Sequence, residues 1–344
     1  MAVATGAGLL AGALLDAALG DPRRWHPVAG YGRAAAALER RMYAPTTAAG
    51  ARYVAVAAGV PTAAAVLASV ATRRRPLARA VLVAATTWTV LGSTSLRREG
   101  TAMAGALDSG DLAAARERLP HLCGRDPAAL GPSELARATV ESVAENTSDA
   151  AVGALFWGAV AGLPGLVGYR AVNTLDAMVG HRSARYARFG TAAARLDDAA
   201  NLVPARLTAA LTVAAAPLVG GSRVRALWTW TRDGRRHPSP NSGQCEAAMA
   251  GALGVRLGGR NVYAGRVEER PMLGRHGRAP EPADIHRAVR LSGLVSAGAT
   301  ALAVLAATAK ARGTGTRPTR TRRSWTPGRP MARVGAKDLG EERA

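Results

Sequence analysis

The stretch ESVAENTSDAAVGALFWGAVAGLPGLVGY, Glu141–Tyr169, decides how the chain is read. Its first nine residues carry Glu141, Glu145 and Asp149 at four-residue spacing, and the twenty that follow hold no charge. A run of about twenty apolar residues is what a helix needs to cross the hydrocarbon core of a bilayer. Pro164 and the glycines around it also permit the run Ala150–Tyr169 to be re-entrant where protein surrounds it, which would leave the flanking polar motifs on one face. Upstream, GPSELARATV places Pro132 and Ser133 ahead of a good helical run. At about 100° per residue, Glu134, Glu141, Glu145 and Asp149 then share an arc of about 80°, with Val140, Val143 and Ala144 on the other side. Such a row is ordinarily the solvated face of an amphipathic helix. Here only Arg137 lies nearby as a partner, so like charges repel along the row. The row also runs into an apolar segment, where water is scarce. A cation resolves both difficulties, and carboxylates spaced in this way suit Mg²⁺ bound together with substrate phosphates.

Composition widens the membrane reading. Of 344 residues, 48% are hydrophobic but only 4% aromatic, so Ala and Gly must do much of the packing. Small residues at helix contacts suit a membrane bundle, where backbones approach closely. Candidate spans are Ala2–Gly20, Arg52–Thr72, Leu77–Leu96, Ala150–Tyr169, Ala205–Gly221 and Leu291–Ala309. The fold expected is an all-α polytopic membrane bundle, with four to six spanning or re-entrant segments and long polar helical loops. Residues 1–309 form one integral-membrane domain and 310–344 a basic, disordered tail. The apolar start lacks a basic leader region and reads as a retained first helix. With six spans, the RRRPLAR loop (Arg73–Arg79) and the basic tail fall on one side and most polar motifs on the other. The net charge of +21 is better explained by charge flanking membrane helices than by nucleic acid, since no recognition pattern accompanies it. Cys123 and Cys245 stand in no metal or redox spacing.

Three further stretches carry chemistry. VNTLDAMVGH sets Asn173 and Asp176 on one helix face and ends at His181. ARLDDAANLVPARL places Asp197 and Asp198 just ahead of Asn201, an arrangement that suits metal and phosphate or, equally, a helix cap or salt bridges to nearby arginines. RRHPSPNSGQCEAAMAGALG reads as a stop at Pro238 and Pro240, then a helix with Asn241 as N-cap and Gln244 in capping-box spacing. Its free N–H groups, with Arg235, Arg236 and His237 beside them, offer a place for an anion. An ordinary loop-to-helix junction reads the same way. Near the N-terminus, His26 stands between Trp25 and Pro27 in GDPRRWHPV.

In this order, GDPRRWHPV, ESVAENTSD, FWGAVAGLPG, YRAVNTLDAMVGH, ARLDDAANLVPARL, HPSPNSGQCEAAMAGALG and LGGRNVYAG resemble the CobD/CbiB family of cobalamin biosynthesis, over roughly residues 10 to 290. The resemblance implies a multi-pass protein of the cell membrane. The activity it implies is an ATP- and Mg²⁺-dependent ligase that joins adenosylcobyric acid to aminopropanol phosphate, giving adenosylcobinamide phosphate. Other enzymes of late cobalamin assembly are then further partners.

Residue roles follow from the chemistry. A carboxylate must be activated before it condenses with an amine, and the amine must lose a proton. Glu141, Glu145, Asp176, Asp197 and Asp198 are the expected Mg²⁺ ligands. Asn146, Asn173 and Asn201 are expected to orient phosphate or corrin amides, and His181, His26 and Glu141 are the candidate catalytic groups. Arg236, His237, Ser239, Asn241 and Glu246 make up the expected phosphate site at the second helix start. There is no Walker motif and no dinucleotide fingerprint, so the nucleotide site is unplaced. Two alternatives stand beside this reading: a Mg²⁺-dependent prenyltransferase-like enzyme and a corrinoid transport or scaffold protein.

Overall fold

The computed structural model describes residues 1–22, 26–181, 183–263 and 266–313. The chain is a helical membrane bundle with a helical cap on one face. Helices α1 (Ala2–Leu19), α3 (Thr47–Ala71), α4 (Pro76–Val90), α10 (Thr191–Ala215) and α13 (Pro282–Gly313) build the bundle. Five helical segments are long and apolar enough to cross a membrane: Ala2–Leu19, Thr47–Ala71, Pro76–Asp108, Thr191–Val219 and Pro282–Ala309. The weakest expected span, Ala205–Gly221, thus begins at Thr191. Glycine makes the close contacts: a Cβ on Gly8 or Gly12 of α1 would fall 2.7 Å from Val83 and 2.4 Å from Thr87 of α4.

The expected span at Ala150–Tyr169 is not a single crossing. It breaks at Gly162, whose φ of 67° ends α8 (Gly153–Ala161), and α9 (Leu163–Leu175) returns with Pro164 in its first turn. The two arms touch backbone to backbone, since a Cβ on Gly165 would lie 2.0 Å from the Trp157 carbonyl oxygen. Polar segments on either side of the hairpin therefore share a face, as a re-entrant segment requires. The tip at Gly162 packs by Arg79, whose Nε donates to Thr5 Oγ1 at 3.0 Å. Gly6 meets Thr308 there. The Arg73–Arg75 loop, the start of α1 and the end of α13 thus lie together, away from the polar motifs.

The cap holds α2 (Pro27–Met42), α5 (Ser93–Asp108), α6 (Leu112–Arg118), α7 (Pro132–Thr147), α11 (Arg223–Asp233) and α12 (Ser242–Leu253). Every residue of α12 is buried. An antiparallel pair that the sequence reading did not anticipate, β1 (Leu257–Tyr263) and β2 (Arg266–Leu273), covers it. Gly258 and Gly259, both with φ of 85°, permit the irregularity at its start. Finally, α13 runs to Gly313, so the first residues counted with the tail are helical. Residues 314–344 lie outside the described ones.

Candidate functional site

Two helices change pitch where the acidic motifs begin. Ser148–Val152 and Asp176–Gly180 are each a turn of π-helix, carrying Asp149 and Asp176. A π turn holds one extra residue and re-aims the side chains on it, and such turns concentrate at functional sites. Asp149 and Asp176 are brought together with Glu145 from α7 and with Asp197 and Asp198 from α10.

The surrounding amides and hydroxyls fix this pocket. Asn173 donates to Asp197 Oδ1 at 3.3 Å, and Asn201 donates to Asp197 Oδ2 at 3.0 Å. Tyr169 donates its hydroxyl to Asn201 Oδ1 at 2.9 Å. Arg170 donates Nη1 to Asn173 Oδ1 at 3.1 Å and Nη2 to the Val90 carbonyl oxygen. Ser242 donates to Glu145 Oε1 at 2.6 Å, joining α12 to α7. Burial, then the Asp197 and Glu145 carboxylates, push the Asp149 carboxyl well above the usual range. Burial, then the negative charges of Asp197, Asp198 and Glu145, push Asp176 up to about 7. Protons or cations must offset that concentration of charge.

Among the described residues, no three His, Cys, Asp or Glu side chains converge into a cage for a metal ion. A Mg²⁺ ion at this cluster would have only one or two carboxylates as ligands, with water and phosphate as the others.

Several expected site residues have other partners. Glu141 is buried, with Oε2 against Arg125 and Oε1 accepting from the Gly258 amide at 2.6 Å and from Arg137 at 3.5 Å. It clamps the start of β1 and is removed from the metal-facing row, because one helical turn carries it away from the π turn. Asn146 folds back on Ser142, donating to its carbonyl oxygen at 2.9 Å. Asn241 does not cap α12; its Nδ2 donates to the Asp198 carbonyl oxygen at 2.8 Å. Ser239 caps instead, accepting from the amides of Asn241 at 3.3 Å and Ser242 at 3.2 Å. Gln244 accepts from Trp230 Nε1 at 2.9 Å, so the expected capping box is absent. The anion beside the start of α12 is Glu145. His237 and Glu246 are buried in the cap, their closest ring-to-carboxylate distance being 3.9 Å, and Arg236 is an exposed partner of Asp233 at 3.8 Å. The side chains expected to hold phosphate here are thus engaged with protein partners.

His26 is also occupied. Its Nδ1 accepts from the Val28 amide at 3.2 Å, capping α2, so a neutral ring carries its proton on Nε2 and has no free lone pair to act as a base. His181 is exposed, its ring edge-on to Tyr186 with centroids 5.0 Å apart, and makes no side-chain hydrogen bond among the described residues. Sequence reasoning missed Tyr169, Arg170 and Ser242. The signal was present for Arg170, one helical turn before Asn173 on the same face.

Fold and site together define a class: a multi-pass helical membrane protein with a carboxylate-rich pocket at the mouth of a helical hairpin. The chain belongs to the CobD/CbiB family, whose profile, described as CobD/Cbib protein, matches residues 9–292. It is 54% identical over 301 residues to the cobalamin biosynthesis protein CobD of Mycobacterium tuberculosis, covering 87% of this chain and 94% of that one. It is 47% identical over 276 residues to the protein of the same name from Geobacter metallireducens, covering 78% and 86%. No solved structure matches.

Proposed function

We propose that this protein makes adenosylcobinamide phosphate in the cytoplasmic membrane, by ATP-dependent formation of an amide between adenosylcobyric acid and aminopropanol phosphate. The observation that carries this reading is the cluster of Glu145, Asp149, Asp176, Asp197 and Asp198, with Arg170 beside it among the described residues. Carboxylates so crowded suit a divalent cation carrying phosphate. One or two of Glu145, Asp176, Asp197 and Asp198 would hold Mg²⁺, with Asp149 on its π turn beside them. Bound there, Mg²⁺ would neutralise phosphate charge and polarise the oxygen under attack. Asn173 and Asn201 hold Asp197 in one rotamer, which fixes a ligand oxygen in advance. Tyr169 and Arg170 close the inner wall. His181, exposed just beyond the Asp176 turn, is the group left to take the amine's proton.

The test is direct. Purified protein in detergent is given adenosylcobyric acid, aminopropanol phosphate, ATP and Mg²⁺, and the product is weighed by mass spectrometry. The expected product has the mass of both partners less one water, formed only with ATP. Corrinoid binding without ATP-dependent product would favour transport or scaffolding, and turnover of a prenyl diphosphate would replace the reading altogether.

A further inference from the structure

A small cavity shares Arg170 with the polar network that reaches Asp197. It lies between α2, α3, α4 and α9 and is lined by Val28, Tyr31, Thr89, Val167 and Ala171, with Arg170 on its wall. Its volume is about 240 Å³. That is below the range of about 300–1,000 Å³ typical of sites for drug-sized ligands, and far too small for a corrin macrocycle.

Its charge is as informative as its size. Most of the wall is apolar, and Arg170 is the charged residue on it. The Arg170 Nε is buried and bonds to nothing among the described residues. A buried N–H without an acceptor is costly, and a guanidinium has more donors than its two neighbours here accept. On its other side the same side chain donates to Asn173, which donates to Asp197. The Asp149, Asp21 and Asp197 carboxylates lie within electrostatic reach of it. A ligand spanning this wall meets a cation beside the groove and carboxylates beyond. The complement is a small molecule with an anionic group at one end and an amine at the other.

We propose that this groove holds the phosphorylated amino-alcohol, its phosphate on the Arg170 guanidinium and its amine directed at the Asp149 carboxylate. This rests on the amide-forming reading above and adds where the smaller substrate binds. An arginine suits the phosphate because its planar fork matches two phosphate oxygens at once. The corrinoid, too large for the groove, then approaches the acidic pocket from the cap side.

Calorimetry on the full chain in detergent tests it, with 1-amino-2-propanol phosphate as probe. Val28→Trp and Thr89→Trp fill the groove from different helices. Each should weaken binding of the probe by about tenfold or more, while corrinoid affinity stays within about twofold. Retained corrinoid affinity shows that a variant is folded. A second arm uses Arg170→Gln, reading the ratio of affinities for 1-amino-2-propanol phosphate and 1-amino-2-propanol. In the wild type the phosphorylated form should bind better, and in Arg170→Gln the preference should shrink by about tenfold. Unchanged probe affinity in both filled variants overturns the groove and leaves the reaction standing. Phospholipid phosphate that co-purifies with the wild type and is lost on filling, with probe affinity intact, assigns the groove to lipid and overturns it too. A wild type that does not bind the probe at all sinks both the groove and the reaction.

Discussion

Ser242 of α12 and Glu145 of α7 tie two cap helices together beside the acidic cluster, through a hydrogen bond of 2.6 Å. Replacing Glu145 by Gln keeps the shape and an acceptor oxygen for Ser242 but removes the charge. The fold should lose no more than about 1 kcal/mol. ATP-dependent amide formation should fall at least about a hundredfold, with partial recovery at raised Mg²⁺. A folded Glu145→Gln protein with normal turnover would return the carboxylate to a structural role. Asn241 calls for a different experiment. As an N-cap it would tolerate Asp and suffer from Ala. Its side chain instead donates to the Asp198 carbonyl oxygen. Asp has no donor there and sets a negative charge against that oxygen, which Arg206, 3.5 Å from Oδ1, offsets only in part. The stability order should therefore be Asn above Ala above Asp, with Asp lower by about 1–3 kcal/mol. Thermal unfolding in detergent reads the order, and Asp above Ala would restore the cap. The spacing of Asn241 and Gln244 showed a helix start, and the helix begins there. Which side chain caps it depended on Asp198, 43 residues earlier, and no local pattern carries that.

The hairpin is the element on which the pocket depends, since it turns a single apolar run into two flanks on one face. Pro164 and the glycines made this fold-back legible in the sequence. What stayed hidden were the two π turns, because the periodic arc that grouped Glu141 with Glu145 and Asp149 assumes regular helix throughout. Gly165→Ala should open the hairpin, since its Cβ would lie 2.0 Å from the Trp157 carbonyl oxygen. A cost of about 1–3 kcal/mol and a sharp loss of activity are expected. Gly168→Ala is the control, because its Cβ would approach no backbone atom and come no nearer than 3.1 Å to the Thr62 side chain. Equal behaviour of the two would remove the close arm-to-arm contact from the account. Helix α12 makes a prediction of another kind through the buried pair His237 and Glu246. Burial and the Arg270 charge hold the His237 ring below its ordinary 6.5, so the fold refuses a proton that the unfolded chain takes up, and stability is lost as pH falls through that value. Burial and the Glu141 and Glu145 charges raise Glu246 well above 4.5, so the fold keeps a proton that the unfolded chain releases, and stability is lost as pH rises from there. The two slopes oppose each other between 4.5 and 6.5. Glu246→Gln removes one of them. The melting temperature of the variant relative to wild type should therefore climb with pH across this interval, and a flat difference would show that Glu246 is not held protonated.

At the scale of the molecule, one face gathers the Arg73–Arg75 loop, the start of α1, the hairpin tip and the end of α13, and the other gathers the chemistry. This division was readable from the order of spans and basic segments, even though one expected span proved to be the hairpin. A hairpin returns the chain to the side it left, which a single crossing would not do, so the segment Arg170–Pro204 joins the other polar motifs. The cap was less legible: its core joins α5, α7, α12, the β pair and the start of α13, which are distant in sequence. The limits of the bundle at the C-terminus can be tested by bracketing cuts. Ala299, Ala303 and Ala307 of α13 are buried, and Thr308 packs on Gly6 of α1. Stopping after Ala303 removes Ala307 and Thr308 from the contact and should abolish insertion and activity together. Stopping after Gly313 keeps the whole of α13. It removes eight Lys or Arg and three acids from a segment whose composition cannot bury a core. Complementation of a strain blocked between cobyric acid and cobinamide should survive this second cut. The amount of protein in the membrane fraction should drop only as far as loss of flanking positive charge loosens topology. The two cuts differ by ten residues of one helix, so membrane fractionation separates their causes. If the chain ending at Gly313 inserts normally and fails to complement, the basic tail has a part in the reaction that nothing in its composition reveals.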